Sequence, residues 1–232
     1  MIDSVNIIND LQYLFFPDCC LGCEKIITKK AYPLCVHCRH ELPLTSYNRL
    51  TENHTDRILY GRVRLRHAYS LLWYHRNSLV QRIIHQIKYR HQEAAGAFFG
   101  RWIGHQLLEY PELTSVDMVI PVPLHPEKKR KRGYNQTEKM AWAMAEVLQA
   151  EFRKDILKRT AGKRTQTKVN RINRNFNEDN PFMAEPRVDL RGKHILLTDD
   201  VITTGATLEF CAHALASHPE VTLSIATLAI TA

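Results

Sequence analysis

Residues 195–207 read "ILLTDDVITTGAT", and this stretch decides the fold. Lys193–Thr198 is a run of strand formers that reads as a buried strand, and it ends on two adjacent carboxylates, Asp199 and Asp200. The next residues are small and hydroxylated, and "ATLEFCAHALASH" then has a helical pattern. In open α/β sheets ligands gather beyond the carboxyl ends of the strands, so this segment brings its acids to the ligand edge. The start of the following helix offers backbone N–H groups and the positive dipole end to an anion. Gly205 allows a phosphate to approach the backbone, and the hydroxyls of Thr203, Thr204 and Thr207 beside Ala206 can donate to its oxygens. The carboxylates can accept from sugar hydroxyls or hold Mg²⁺. The stretch therefore fits a phosphorylated sugar, whereas a helix cap would account for one acid and leave the other and the Thr-Thr-Gly run without a purpose.

The rest of the chain supports an α/β class. "HAYSLLWYH" (His67–His75) reads as a strand, and "NSLVQRIIHQIKYRHQ" sets Leu79, Ile83, Ile84 and Ile87 on one helical face behind Asn77 or Ser78 as cap. A second apolar helix is expected over Ala95 to Leu108. "VDMVIPVPLH" (Val116–His125) reads as a buried strand stopped by Pro121 and Pro123, and "TEKMAWAMAEVLQAEF" as a helix. "ILKRT" (Ile156–Thr160) fits a further strand, and "VTLSIATLAI" a closing one. Alternating strands and helices over the C-terminal half predict a mostly parallel sheet. Residues 50–62 are polar and read as a linker.

Six cysteines are present, five of them between Cys19 and Cys38. Cys20 and Cys23 form one CxxC pair and Cys35 and Cys38 another, with eleven residues between the pairs. Two such pairs supply four thiolates for a structural zinc, Zn²⁺, with a dithiol redox pair as the competing reading. Cys19 could stand in for Cys20, although the matched spacing favours Cys20. His37 and His40 read as exposed polar residues, and Cys211 as a small buried apolar one.

The formal net charge is +8, which points to an anionic partner. The cations cluster at "KKRKR" (Lys128, Lys129, Arg130, Lys131, Arg132), and seven lie between Leu157 and Phe176, among them Lys163, Arg164 and Lys168, with no acid between. They suit pyrophosphate or a nucleic-acid backbone, but aromatic residues are too sparse among them for a stacking platform. The N-terminal stretch lacks the basic region of a signal peptide, and no apolar run reaches the roughly 18 residues a membrane span needs. A soluble cytoplasmic protein is expected.

"ILLTDDVITTGAT" resembles the signature of type I phosphoribosyltransferases, which bind 5-phosphoribosyl-1-pyrophosphate (PRPP). "PDCCLGC…LCVHC", "IKYRHQ", "VIPVPLHPEKKRKRGYNQTEKMA" and "TQTKVNRINRNFN" resemble the ComF family of bacterial competence proteins, and the resemblance covers nearly the whole chain. It implies a zinc module at residues 1–50 before a type I phosphoribosyltransferase-like α/β domain at 60–232. Asp199 and Asp200 would contact the ribose hydroxyls, and Thr203, Thr204, Gly205, Ala206 and Thr207 would cradle the 5′-phosphate. The loop after "VIPVP" would hold pyrophosphate, and Mg²⁺ would come with PRPP. "RGYNQ" (Arg132–Gln136) marks the family without revealing what its atoms do. The resemblance implies a PRPP-binding factor, working with single-stranded DNA and other competence proteins, that assists uptake or use of external DNA. Two alternatives stand beside it: a transferase moving ribose 5-phosphate to a nitrogenous acceptor, for which no general base is evident, and a PRPP-sensing regulator that binds nucleic acid.

Overall fold

The long strands form in runs where aromatic, β-branched and leucine residues concentrate. In the computed structural model, which describes residues 15, 17–27, 32–45, 53–89, 93–160 and 180–231, these runs build a five-stranded sheet. Its strands are β1 (His67–Tyr74), β2 (Met118–Pro121), β3 (Glu151–Phe152), β6 (His194–Ile202) and β7 (Thr222–Thr231). The order is β1-β7-β6-β2-β3 and every pairing is parallel. The mostly parallel α/β class expected from the sequence is thus present. The closing strand β7 lies inside the sheet, between β1 and β6, and its burial on both faces matches its continuous apolar run.

One sheet face is covered by α4 (Glu93–Leu107) and α6 (Gln136–Leu148), with α3 (Leu79–Tyr89) beside them. Gly100 and Gly104 let α4 and α6 touch: a Cβ on either would lie 2.9 Å from Ala143 Cβ or 2.8 Å from Val147 Cβ. The other face carries α7 (Ala206–Leu215) and α2 (His54–Leu59). A small hairpin of β4 (Leu157–Arg159) and β5 (Phe182–Ala184) packs there too.

Four expectations change. Residues 54–59 are a helix rather than a linker, because Asn53 caps it through Thr55 N–H at 3.0 Å and Leu59 is fully buried. The helix expected to reach Phe152 ends at Leu148: Gln149 adopts a left-handed φ of 54°, and Glu151–Phe152 pair with β2. The strand at 157–159 belongs to the separate antiparallel hairpin. Finally, β6 does not stop at Thr198 but runs on to Ile202, held by β7 along that length.

β2 stops earlier than β6. Pro121 faces Thr198, and Val122 makes the last contact by donating its N–H to Thr198 O at 2.8 Å. Beyond that point β6 is paired on the β7 side only, and Asp199 and Asp200 occupy the unpaired border. The first cysteine pair lies in a turn closed by the bridge between Cys19 and Ile26, and the second opens α1 (Val36–His40). Leu44 pairs with Leu72 at the outer edge of β1, so the segment after α1 covers that edge. Cys20, Leu21, Leu34, Cys38 and Leu42 belong to the same hydrophobic cluster as Phe99 and Ile103.

Candidate functional site

Three separate stretches of the chain meet at Asp200. Its Oδ2 accepts from Lys88 Nζ at 2.8 Å, from the last turn of α3, and from Gln136 Nε2 at 2.8 Å, from the first turn of α6. Gln136 cannot be turned around: its Oε1 accepts from Arg132 Nη1 at 3.0 Å, which leaves the amide nitrogen to face the carboxylate. The Arg132 guanidinium in turn lies 4.9 Å above the Tyr89 ring centre. Its donor to the Tyr89 hydroxyl holds that phenol below its usual range, helped by the charges of Arg132 and Lys88.

The "RGYNQ" segment now has a role for every residue. Gly133, at φ 79°, ends the helix α5 (Pro126–Arg132) in the left-handed conformation. Tyr134 donates its hydroxyl to Ile87 O in α3. Asn135 caps α6 through Thr137 N–H at 3.3 Å and donates to Val122 O at 3.0 Å, fixing the chain that leaves β2. Arg132 and Gln136 complete the line to Asp200. The sequence marked this segment and "IKYRHQ" as family features, but nothing in either said that Lys88 and Gln136 share one carboxylate.

The two acids do different things. Asp200 turns toward α3 and α6, while Asp199 lies on the α7 side, within electrostatic reach of Arg159 and Cys211. Burial and the neighbouring Asp200 charge push the Asp199 carboxyl up to about 7. The Asp200 N–H at 2.8 Å and the charges of Lys88 and Arg159 oppose that shift. Asp199 thus titrates near neutrality beside an acid held by two donors.

Thr203, Thr204 and Thr207 are exposed around the start of α7, Ala206 is half-buried and Gly205 is buried. Gly205 has φ 74°, and a Cβ there would lie 2.8 Å from Leu59 Cδ2 and 2.9 Å from Ile58 Cγ2. What approaches this glycine closely is helix α2, not open space reserved for a ligand. Arg62, from the turn after α2, donates to Thr204 O at 2.5 Å and to Ile58 O at 3.0 Å, and pairs with the buried Glu209 in α7. Sequence reasoning missed Arg62, since it fell at the edge of the presumed linker.

The basic cluster divides. Lys128, Lys129, Arg130 and Lys131 are exposed on α5, whereas Arg132 is turned inward as described. Lys163, Arg164 and Lys168 lie outside the described residues.

The four expected cysteines converge. One sulfur from each of Cys20, Cys23, Cys35 and Cys38 lies within 4.8 Å of the others, and Cys23 and Cys35 are 3.8 Å apart. Sulfurs held about 2.3 Å from a tetrahedral metal are separated by about 3.8 Å, so the donors fit a structural metal. Burial works against ionisation of Cys20, but N–H groups including Cys35 at 3.2 Å and Gly22 at 3.4 Å bring its thiol down to about 6. Burial pushes the Cys38 thiol far up, and the other cysteines add to this. Four thiolates this close need a cation to coexist. Cys19 points away, to Pro17 O at 3.5 Å, and His37 is exposed.

No protein-family model matches the chain. DNA utilization protein YhgH of Escherichia coli O157:H7 is 26% identical over 146 residues, covering 62% of this chain and 63% of that protein. Competence protein F of Haemophilus influenzae is 26% identical over 198 residues, covering 82% of this chain and 80% of that one. Competence protein ComFC of Bacillus subtilis is 27% identical over 206 residues, covering 88% and 80%. The chain is a relative of the ComF competence proteins. Against the YhgH group it spans somewhat under two thirds of the relative's length. Among solved structures, "Analysis of an invariant aspartic acid in HPRTs-alanine mutant" is 14% identical, covers 59% of this chain and 67% of that one, and has a TM-score of 0.35, too slight to support a reading. In this chain an acid pair on a parallel strand leads through a short turn into a helix, the arrangement expected from the sequence. Among the described residues of this ComF relative, no helix is long and apolar enough to cross a membrane.

Proposed function

We propose that this chain is a cytoplasmic, PRPP-binding, ComF-type protein that assists the handling of incoming single-stranded DNA. The observation that carries the PRPP reading is the convergence on Asp200 of Lys88 and Gln136, each from a stretch that resembles ComF proteins. The acid pair on β6 and the exposed threonines around the start of α7 supply acceptors for a ribose diol and donors for its phosphate. Mg²⁺ arrives with the pyrophosphate, since Oδ2 of Asp200 already takes two donors. The four cysteines hold one structural zinc within a module at residues 1–50, ahead of the ligand-binding domain at 60–232.

The names of the relatives support the DNA role, and the exposed cations Lys128, Lys129, Arg130 and Lys131 supply phosphate contacts for it. Such contacts make binding salt-dependent and indifferent to sequence. Lys163, Arg164 and Lys168 are assigned to the same role on charge alone, and other competence proteins are the expected partners. Calorimetric titration with PRPP and Mg²⁺ tests the central claim: saturable heat is expected, and its absence for both PRPP and ribose 5-phosphate rejects the reading. Anisotropy with single-stranded DNA, comparing wild type with Lys129, Arg130 and Lys131 all changed to Glu, tests the second claim. Binding no tighter than that of an unrelated protein of equal charge rejects the DNA role.

One observation favours a transferase as the second reading. Burial and the Asp200 charge push the Asp199 carboxyl up to about 7, so in this reading it is the group that carries a proton at neutral pH. Pyrophosphate release from PRPP with a nitrogenous base separates that reading from binding alone.

A further inference from the structure

Lys88 is the cation in this site that competes with a ligand for Asp200. Its ammonium lies 2.8 Å from Asp200 Oδ2, and the two side chains are only 24% and 14% exposed, so neither charge is well served by water. A ribose hydroxyl that donates to Asp200 Oδ2 competes with the two donors already on that oxygen. Gln136 cannot yield, because Arg132 holds its carbonyl oxygen at 3.0 Å and Tyr89 supports Arg132. Lys88 can, because it is a point charge on a flexible four-carbon stem.

A lysine released into a part-buried site needs a new anion close by, since an uncompensated buried charge is costly. A plain sugar provides none. A sugar with a negatively charged substituent next to the diol does. We propose that Lys88 is a ligand for the anionic group on the anomeric carbon of a phosphorylated ribose, and that it is held on Asp200 until that group arrives. The exchange makes the site selective: it accepts ribose carrying pyrophosphate at that carbon and discriminates against ribose carrying only its 5′-phosphate. This rests on the PRPP reading above and adds to it the residue that distinguishes the two ligands.

The test is calorimetry of wild type, Lys88→Met, Lys88→Arg and Asp200→Asn with PRPP, ribose 5-phosphate and inorganic pyrophosphate, Mg²⁺ being present throughout. Lys88→Met should lose ten- to a hundredfold in affinity for PRPP and for pyrophosphate. Its affinity for ribose 5-phosphate should stay the same or rise, because Asp200 has been freed. Lys88→Arg should recover much of the loss. Asp200→Asn releases Lys88 without removing it and should raise pyrophosphate affinity severalfold while lowering that for ribose 5-phosphate; it also serves if Lys88→Met fails to fold. Equal loss for all three probes in Lys88→Met, or unchanged PRPP affinity, overturns the inference while leaving PRPP binding intact. Failure of wild type to bind either sugar phosphate removes the PRPP reading and this inference with it.

Discussion

Gln136 donates to Asp200 at 2.8 Å across 64 residues of chain, in the one amide orientation that Arg132 permits. The side chain is 6% exposed, so both of its polar ends depend on these partners. Gln136→Leu leaves Asp200 short of a donor and Arg132 short of an acceptor, and should cost about 1–3 kcal/mol in urea denaturation. Gln136→Glu restores the acceptor for Arg132 but sets a second carboxylate against Asp200. It should therefore retain more stability than the leucine variant and bind PRPP at least tenfold more weakly than wild type. Equal affinities of Gln136→Glu and wild type would remove Asp200 from the ligand site.

Gly205 is constrained twice, by its φ of 74° and by Leu59 and Ile58 against the position of a Cβ. Gly205→Ala should lose about 1–3 kcal/mol from backbone strain alone, with overpacking added to it. Leu59→Ala removes the nearest obstacle while creating a cavity worth about 2–5 kcal/mol. The double variant should lose clearly less than the sum of the two, as residues in contact do. Strict additivity in thermal denaturation would show that α2 does not press on this turn.

The acid pair, the helix after it and both CxxC pairs were legible because each depends on residues close together in sequence. The strand carrying the acids extends beyond what its local pattern announces, since its last residues are held by β7. Helix α2 looks like a linker in the sequence for a similar reason: its polar residues hide the single leucine, Leu59, that anchors it. The Lys88–Asp200–Gln136 junction was not legible at all. It brings together three segments far apart in the chain, and only the parallel crossovers make them neighbours.

Asp199 gives the protein a pH dependence of defined sign. Its carboxyl sits at about 7 in the folded chain and near 3.9 in an unfolded one. Between those values the folded state keeps a proton that the unfolded state has released. Stability from this group is therefore fully present below about pH 4 and is lost as pH rises toward about 7. Asp199→Asn should gain stability relative to wild type as pH rises over that window. Parallel melting curves for the two proteins from pH 4 to 8 check this; a constant offset would assign Asp199 no titration there.

Cys38 lies under Gly22, where a Cβ would come 2.8 Å from its sulfur. Cys38→Ser should abolish stoichiometric zinc, and so should Cys20→Ser, whereas Cys19→Ser should retain it. Metal analysis of freshly purified, reduced protein decides the matter, and wild type without zinc would end the assignment. Gly22→Ala should weaken metal retention without touching a ligand, because the knuckle must shift to make room.

Helix α3 has eleven residues, so it is about 16 Å long, and it is gripped at both ends by different chemistry. Arg82 donates to Gly22 O at 2.9 Å and Gln86 to Glu24 Oε1 at 2.8 Å, which fastens the helix to the cysteine knuckle. One turn further on, Lys88 and Tyr89 meet Asp200 and Arg132. A rod shared by two binding sites makes their occupancies reciprocal: whatever factor the metal adds to ligand affinity, the ligand adds to metal affinity. Chelator competition should therefore need more chelator when PRPP is saturating. The size of that displacement measures how stiffly eleven residues transmit between a cluster of sulfurs and a pair of carboxylates.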